Sequence, residues 1–345
     1  MTSLMEKEAL QSPLIIEEQL QTNKKLLLQI AKSLQKKEID FVQTIARGSS
    51  NNAAHFAKYL FENNLNIITC PAELCMRTVY KAKLNLKNSL VLAISQSGES
   101  PDLIEYLSYA KERSATTIAI VNSPNSPLAK IAEIVIPIHA GKEKAVAATK
   151  SFLATLSALI QLIGHIKNDK QLLALINKLP ERLYECLDPL SEPFIKTFAK
   201  TKNLFVIARG YLLPIAKEIA LKFKETCAIH AEAYSSAEIL HGPMAMVDEN
   251  FHGLFLFQKD ESRKFTLDVF QKFAKLKART FSFLPADLLM QTNTDKFFIT
   301  PRSLHPVCDP LIQIQTFYPL CAKLSLIKNK NPDKPQNISK VTKTT

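Results

Sequence analysis

The sequence predicts an α/β fold with two similar parallel β-sheets, each flanked by helices. Three observations support this prediction: short strands alternate with helices, the strands are apolar along most of their length, and the whole pattern occurs twice. Continuously apolar strands of this kind are typical of a parallel sheet that helices cover on both faces. The 345 residues are enough for two ordinary domains.

The first half of the chain shows the alternation most clearly. Residues 1–39 form a predicted helical segment, because Leu and Ile recur at helical spacing among Lys, Glu and Gln. Five apolar segments follow, and a helical segment comes after each of them. The predicted strands are DFVQTIARGSS, LNIITCPAE, SLVLAI, TTIAIVN and EIVIPIHA. We therefore expect a first domain over residues 40–180.

The second half repeats the first. The segment NLFVIARGYLLPIAKEIALKFKE resembles DFVQTIARGSSNNAAHFAKYLFE, because both contain an apolar strand, Ile-Ala-Arg-Gly and an Ala-rich helix in that order. A strand and an Ala-Glu pair come next in each copy, so an internal duplication is indicated. We expect a second domain over residues 181–326 that includes a preceding helical linker. Residues 327–345 are rich in Lys and Asn and have no strand or helix period.

Composition excludes several classes of protein. The net charge of +12 is scattered, without an aromatic or arginine-rich stripe, so we predict a basic surface that attracts small anions rather than nucleic acid. The six cysteines contain no CxxC pair, which disfavours a zinc ribbon and favours reduced thiols. No apolar run reaches the roughly 18 residues of a membrane span, and the start lacks a signal-peptide pattern. We therefore expect a cytoplasmic protein that does not bind membranes.

A turn rich in hydroxyls follows the third predicted strand, in the segment SQSGESP. Ligands bind at the carboxyl ends of strands in open parallel sheets, and a turn that opens a helix favours an anion. Gly98 permits a positive φ, and Pro101 suits the first helical position. The turn therefore suits a phosphate monoester, although serines before a helix are also ordinary caps. The candidate hydroxyls are Ser95, Ser97 and Ser100, with Ser49 and Ser50 in a similar turn after the first strand.

Acidic and histidine side chains cluster in the second half, within LKFKETCAIHAEAYSSAEILHGPMAM. His230 and Glu232 form an H-x-E pair, but the P-C-x-x-C of a zinc deaminase and the HExxH of a metalloprotease are both missing from the sequence. The cluster is therefore interpreted as metal-free. Two alternatives remain: structural polar residues, or an acid/base pair that acts on a phosphorylated substrate.

Four separated motifs resemble one known family. The segments SQSGES, VAATKSF, LKFKE…HAEAYSSAEILHGP and NPDKPQNISKVTK, together with MEKEALQSP, are similar to the sugar isomerase (SIS) domains of glucosamine-6-phosphate synthase. The resemblance implies two tandem SIS domains with flavodoxin-like layering and a carboxyl-terminal tail that lies over the active site. It does not include the glutaminase half of the synthase. A pair of SIS domains without that half is similar to the SIS-type glucosamine-6-phosphate deaminases.

The resemblance also implies a role for individual residues. Glu225 matches the base that moves a proton between C1 and C2, and Lys222 matches a lysine near that transfer. His241 matches a ring-opening histidine contributed by the neighbouring subunit, so a homodimer is implied, and Lys340 matches a tail lysine that reaches the open-chain sugar. The residues that match the phosphate-binding and substrate-binding positions are Ser95, Gln96, Ser97 and Ser100, with Ser49 and Ser50. Ala148 departs from the VASTK pattern of the synthases, which leaves the preferred hexose open.

The activity implied by the resemblance is conversion of glucosamine 6-phosphate to fructose 6-phosphate and ammonia, with no metal or redox cofactor. Other readings stay open: a fructosamine-6-phosphate deglycase, an isomerase of another phosphosugar, or a phosphosugar sensor without catalysis. Glu225, His241 and Lys340 are all present, which disfavours the sensor.

Overall fold

The structure is a computed structural model that describes residues 2–187, 189, 191–291 and 297–340. The strands are β1 Phe41–Ile45, β2 Ile68–Pro71, β3 Ser89–Ser95, β4 Thr116–Val121, β5 Ile134–Pro137, β6 Asn203–Ala208, β7 His230–Ser235, β8 His252–Leu256, β9 Arg279–Pro285 and β10 Phe297–Thr300. The helices are α1 Leu4–Ala9, α2 Ser12–Leu34, α3 Gly48–Leu65, α4 Leu74–Thr78, α5 Pro101–Glu112, α6 Pro127–Ile131, α7 Lys150–Lys167, α8 Lys170–Ile176, α9 Leu179–Tyr184, α10 Glu192–Phe198, α11 Leu213–Cys227, α12 Arg263–Lys275 and α13 Asp309–Ile327.

The two predicted parallel sheets are confirmed. The first sheet has the strand order β2-β1-β3-β4-β5 and the second has the order β7-β6-β8-β9-β10, with every pair of neighbouring strands parallel. Both orders are the 2-1-3-4-5 order of flavodoxin-like folds. In this order, the direction in which successive strands are added to the sheet reverses between the first and third strands. The shared order agrees with the internal duplication that the sequence indicates.

Each sheet has a core of its own. The core of the first sheet is built mainly from aliphatic and alanine side chains, such as Val91, Ala93 and Leu107, with Tyr106 and Tyr109 among them. The core of the second sheet contains many phenylalanines, including Phe205 and Phe255. The central strands β3, β4, β6 and β8 are buried along most of their length because helices cover them, as continuously apolar strands predict.

The amino-terminal helical segment is divided into two helices. Helix α1 ends at Ala9 and α2 begins at Ser12. Pro13 has no N–H to donate to the carbonyl of Ala9, and the hydroxyl of Ser12 donates to that carbonyl instead, at 2.8 Å. The division therefore follows from the Ser-Pro pair in the sequence.

The chain forms two compact units. One contains the first sheet and consists of residues 14–143, 150–177 and 338–345; the other contains the second sheet and consists of residues 1–13, 144–149 and 178–337. The continuous domain boundaries at residues 40, 181 and 327 stay predictions. The last five residues of the predicted tail, 341–345, lie outside the described residues.

Candidate active site

The hydroxyl-rich turn after β3 is tightly folded. The Ser95 Oγ accepts the Gly98 N–H at 3.0 Å, and the Ser97 Oγ accepts the Glu99 N–H at 3.3 Å. Gly98 has a φ of +67°, and a Cβ at this position would lie 2.2 Å from the Oγ of Ser126. Only glycine therefore fits this turn without a rearrangement.

Ser100 is the N-cap residue of α5, but its side chain makes no capping hydrogen bond. Capping therefore does not explain this hydroxyl, which was the ordinary alternative to a ligand contact. Pro101 takes the first helical position, as the sequence predicts. The amino-terminal end of α5 thus follows the turn directly and favours negative charge at this place.

The turns after β1 and β3 come from neighbouring strands. Strand β1 pairs with β3 in parallel, so both turns leave the same edge of the sheet at the point where the strand order reverses. Ser49 and Ser50 lie in the first turn of α3 and are half-buried, as are Gln96, Ser97 and Ser100. The structure therefore brings the two predicted groups of hydroxyls to one edge of the first sheet.

An ion pair that the sequence analysis missed links these turns. The Arg47 guanidinium lies 2.9 Å from the buried carboxylate of Asp102, and its Nε also donates to that carboxylate at 3.0 Å. Arg47 belongs to the repeated Ile-Ala-Arg-Gly, and this repetition was a signal for its importance. The pair holds the turn after β1 against the first turn of α5.

In the unit that contains the second sheet, helix α11 carries three charged side chains on one face. Lys222 forms ion pairs with Glu225 and with Glu218, whose carboxylate lies 3.4 Å from the lysine Nζ. Spacings of three and four residues put these side chains on one face of the helix. The side chains of Lys222 and Glu218 are 1% and 0% exposed, whereas that of Glu225 is 21% exposed. The structure thus brings together the predicted pair and leaves only Glu225 accessible.

Glu218 was not predicted, although its spacing from Lys222 was a signal. Its carboxylate accepts the hydroxyl of Tyr318 at 3.4 Å, in addition to the contact with Lys222. Burial alone opposes the ammonium form of Lys222, but the negative charges of Glu218 and Glu225 outweigh burial and raise the pKa of Lys222. The ammonium form of Lys222 is therefore favoured beside the carboxylate of Glu225.

His241 lies in an exposed turn of the unit that contains the second sheet. It ends the 3-10 turn Glu238–His241, and Gly242 follows with a φ of +138°. Two apolar neighbours in the sequence, Leu240 and Met246, are 45% and 60% exposed. Among the described residues, no hydrogen bond or ion pair joins His241 to Lys222 or Glu225.

Lys340 is held within the unit that contains the first sheet. Its Nζ lies 2.8 Å from the carboxylate of Glu143, and the side chains are 24% and 0% exposed respectively. Glu143 also accepts the Oγ of Ser151 at 2.7 Å. The lysine predicted to reach the substrate therefore has a fixed carboxylate partner that the sequence analysis did not identify.

The loop that contains Ala148 is fixed by the amino-terminal helix. Both oxygens of the buried Glu8 carboxylate accept backbone N–H groups of this loop, from Lys144 at 2.6 Å and from Ala145 at 3.1 Å. This contact gives a role to the MEKEALQSP motif, which had none from the sequence alone. Ala148 itself is half-buried.

The NPDKPQN segment fixes the same loop from the other end of the chain. The carboxylate of Asp333 accepts the N–H groups of Leu4 and Met5 at 2.8 and 2.7 Å, where α1 begins. The carbonyl of Asp333 accepts the Val146 N–H at 3.0 Å. Residues near the two ends of the chain therefore support the VAATK loop together.

His230 and Glu232, the H-x-E pair, lie 3.7 Å apart on the surface. Glu232 also accepts the hydroxyl of Tyr234 at 2.7 Å. Within the part of the chain that the structure describes, no group of three or more His, Cys, Asp or Glu side chains is arranged to hold a metal ion. In the same residues, no helix combines the length and hydrophobicity needed to cross a membrane.

Two parallel sheets in this order, with a hydroxyl-rich turn where the order reverses, define a class of ligand-binding α/β proteins. The sequence profile of the SIS domain matches residues 35–164 and 197–283, so one match includes the whole first sheet and the other most of the second. The chain belongs to the SIS domain family.

Curated relatives that match most of this chain share one name. The isomerizing glutamine–fructose-6-phosphate aminotransferase of Wigglesworthia glossinidia brevipalpis is 32% identical over 315 residues, which cover 88% of this chain and 51% of the relative. The enzyme of the same name from Escherichia coli K12 is 29% identical over 314 residues, with 88% and 51% covered. The chain spans about half the length of these relatives.

Solved structures share the fold over 96–99% of this chain. The C-terminal domain of the glucosamine–fructose-6-phosphate aminotransferase from Francisella tularensis has a TM-score of 0.86 and 26% identity, with 97% of this chain and 99% of that one covered. A Silicibacter pomeroyi protein, provisionally named a phosphosugar isomerase, has a TM-score of 0.89 and 32% identity, with 96% and 100% covered. A Thermotoga maritima glucosamine-6-phosphate deaminase has a TM-score of 0.72, 22% identity and coverage of 99% and 100%, which shows the common fold.

Proposed function

We propose that the protein is a phosphosugar isomerase that converts glucosamine 6-phosphate and water to fructose 6-phosphate and ammonia. The observation that carries the proposal is that the accessible carboxylate of Glu225 is paired with a fully buried lysine. A second feature supports it, because the chain also has a hydroxyl-rich turn where the strand order of a parallel sheet reverses. The first feature suits proton transfer and the second suits a phosphate group.

The phosphate group is assigned to the turns after β1 and β3. The hydroxyls of Ser97 and Ser100 and the amino-terminal end of α5 favour a dianion there. Ser95 supports the turn from within, because its hydroxyl accepts the Gly98 N–H. Ser49, Ser50 and Gln96 supply further polar contacts from the same edge of the sheet. Phosphate binding fixes one end of the sugar and so helps to orient C1 and C2.

The proton transfer is assigned to Glu225. In the open-chain aldehyde, its carboxylate removes the proton on C2 and a proton is then delivered to C1, while the C1 oxygen gains a proton and the C2 amine loses one. The electron pair released at C2 is delocalised toward the C1 oxygen, and the positive charge of Lys222 favours that developing negative charge. The product is a 2-imino sugar, which water hydrolyses to the ketose and ammonia. No electrons are gained or lost overall.

Ring opening and the open-chain sugar are assigned to His241 and Lys340. An imidazole can accept and return a proton near neutral pH, which ring opening requires. The exposure of His241, with Leu240 and Met246 exposed nearby, supports a turn that a second copy of the chain covers. The proposal therefore includes a homodimer in which His241 serves the active site of the partner subunit.

The first experiment measures ammonia release from purified protein. The substrates are glucosamine 6-phosphate, galactosamine 6-phosphate, N-acetylglucosamine 6-phosphate, unphosphorylated glucosamine and fructosamine 6-phosphate. Release from glucosamine 6-phosphate alone is the expected result, and failure with glucosamine would show the need for the phosphate. Release only from fructosamine 6-phosphate would identify a deglycase, whereas no release with phosphosugar binding retained would reject a deaminase and favour a sensor or an isomerase of another phosphosugar.

The shared active site is tested by mixing two inactive variants. His241→Ala and Glu225→Gln proteins are unfolded and refolded together, so that mixed dimers form. A mixed dimer has one site with both residues intact, and we expect activity to return on mixing. An assembly that is monomeric by light scattering, or a mixture without activity, would contradict the shared site. Glu249→Gln, which changes an exposed carboxylate, is the control for refolding.

A further inference from the structure

The carboxylate of Glu143 joins the tail residue Lys340 to the start of α7. It accepts the Lys340 Nζ at 2.8 Å, the Ser151 Oγ at 2.7 Å and the Ser151 N–H at 3.2 Å. The Glu143 side chain is completely buried, whereas that of Lys340 is 24% exposed. All three residues belong to the unit that contains the first sheet.

The two contacts with Ser151 hold Glu143 in place from a rigid element. A carboxylate is expensive to bury unless hydrogen bonds and positive charge compensate for the lost water. Ser151 supplies two hydrogen bonds from the first turn of α7, where the helix dipole also favours negative charge. The position of the carboxylate is therefore set by the helix, and the flexible lysine side chain comes to it.

We propose that Glu143 is a positioning residue for Lys340, which fixes the lysine ammonium where it acts on the open-chain sugar. The inference rests on the function proposed for Lys340 and adds a residue that no sequence motif assigned to the reaction. An ammonium has three N–H donors, so contact with one carboxylate is compatible with donation to a substrate oxygen. Glu143 itself acts only through Lys340.

The same unit contains an ion pair that serves as a control. Lys37 and Glu133 are 2.6 Å apart, but their side chains are 30% and 44% exposed. Exposed pairs of this kind add little stability, because water competes for both charges. The two lysines have similar exposure, but the carboxylate of Glu143 is buried and held by Ser151, whereas that of Glu133 is exposed. Lys37 also donates to the Thr116 Oγ1 at 3.1 Å, which is a second reason to expect a small change at Lys37 when Glu133 is replaced.

The first test labels the intact, folded protein with an amine-acetylating reagent and measures the modification rate of each lysine by mass spectrometry of the peptides that contain it. Removing a charged hydrogen-bond partner from a buried site releases the lysine, so we expect Glu143→Gln to raise the modification rate of Lys340 about tenfold. In Glu133→Gln, the rate at Lys37 should change less than about twofold. Equal changes at the two lysines, or no change at Lys340, would overturn the proposal.

The second test is a double-mutant cycle on turnover with Glu143→Gln, Lys340→Ala and the double variant. If Glu143 acts through Lys340, Glu143→Gln lowers kcat about tenfold in the natural background and has no further effect when Lys340 is already alanine. KM for the phosphosugar should change little, because the phosphate turn is intact. The same loss in both backgrounds would show a structural role and overturn the proposal.

The two tests separate this inference from the proposed function. The modification rate is measured without substrate. If the protein released no ammonia, the proposed reaction would be rejected, but the labelling result would still test the contact between Glu143 and Lys340. If Glu143→Gln does not fold, Ser151→Ala removes one hydrogen bond to the carboxylate and keeps its charge. That variant should raise the modification rate of Lys340 by about threefold, and an unchanged rate would again count against the proposal.

Discussion

Helices α3 and α11 follow corresponding strands, β1 and β6, and begin after the same Ile-Ala-Arg-Gly turn. Counted from that turn, Phe56 and Leu60 of α3 take the positions of Glu218 and Lys222 of α11. All four side chains are buried, and that of Lys222 is only 1% exposed. One copy therefore packs two apolar side chains where the other buries an ion pair.

This difference shows which part of the second copy is specialised. A buried ion pair is no more stabilising than apolar residues of similar volume, and is often less stabilising. The first copy demonstrates that this position on the fold accommodates apolar packing. The ion pair in α11 is therefore not needed for the fold, which supports a chemical role for it beside Glu225.

The turns after β3 and β8 also differ, but here it is the first copy that has the features proposed to bind a ligand. The first copy has hydroxyls, whereas in the second copy the carboxylate of Asp260 lies before α12 and accepts the N–H of Ser262 at 2.9 Å and its Oγ at 2.6 Å. Gln258 also donates to Asp260. A carboxylate of the chain thus accepts these donors before α12. This difference supports the proposal that the first sheet binds the anion and that the second carries the proton transfer.

The largest expected effect concerns the base. Glu225→Gln removes the proton acceptor but keeps the size of the side chain, so we expect kcat to fall by about 10³-fold while the phosphosugar still protects the protein against thermal unfolding. Asn63 takes the corresponding position in α3, and Asn63→Ala should leave turnover nearly unchanged. Activity retained in Glu225→Gln would remove the distinction between the two helices.

The ion pair is tested by replacing Lys222 and Glu218 of α11 with apolar residues, as at the corresponding positions of α3. Lys222→Met alone leaves the buried Glu218 without its cation and should lower the free energy of unfolding by about 3–5 kcal/mol. Adding Glu218→Leu should restore stability to the natural level or above it, yet turnover should stay lost. Urea unfolding measures the first quantity and ammonia release the second. An active double variant would show that the pair is dispensable for the reaction.

The sequence was sufficient for the fold because its signals are local. Apolar strands, helical periodicity and the repeated Ile-Ala-Arg-Gly are all visible within short windows, and they predicted both sheets. The turn with Ser97 and Ser100 could also be located, since hydroxyls after a buried strand have a known position in a parallel sheet. The direct contact of Lys222 and Glu225 agrees with their three-residue spacing.

The partners that fix the predicted residues were harder to find. Lys340 and Glu143 are 197 residues apart, and Asp333 and Leu4 are 329 residues apart. A single sequence contains no signal for such pairs, because only the folded backbone brings them together. Glu218 is different, since its four-residue spacing from Lys222 was visible, but a charged residue on a helix is ordinarily interpreted as exposed.

A smaller effect is expected from two glycines with positive φ, Gly98 in the turn after β3 and Gly210 in the turn after β6. Gly98→Ala combines a positive φ with a Cβ that would lie 2.2 Å from the Ser126 Oγ, so we expect a loss of about 3 kcal/mol in unfolding free energy and weaker phosphate binding. Gly210 has a φ of +62°, but a Cβ at this position would lie 3.5 Å from its nearest neighbours, the Cβ and Oγ of Ser262. Gly210→Ala should therefore cost only about 1 kcal/mol. Equal losses in urea unfolding would contradict the tighter packing of the turn after β3.

The smallest expected effect separates the two turns as anion sites. Inorganic phosphate that binds the folded protein raises its unfolding free energy, and Ser97→Ala should reduce that gain by about 1 kcal/mol because one donor to the anion is lost. Asp260→Ala should lower the unfolding free energy by about 1 kcal/mol through the lost contacts with Ser262, while the gain from phosphate stays the same. Thermal unfolding at several phosphate concentrations measures both quantities. If Asp260→Ala instead increased the gain, the second sheet would also bind phosphate once its own carboxylate is removed, and the hydroxyls of the turn after β3 would not be what distinguishes the two turns as anion sites.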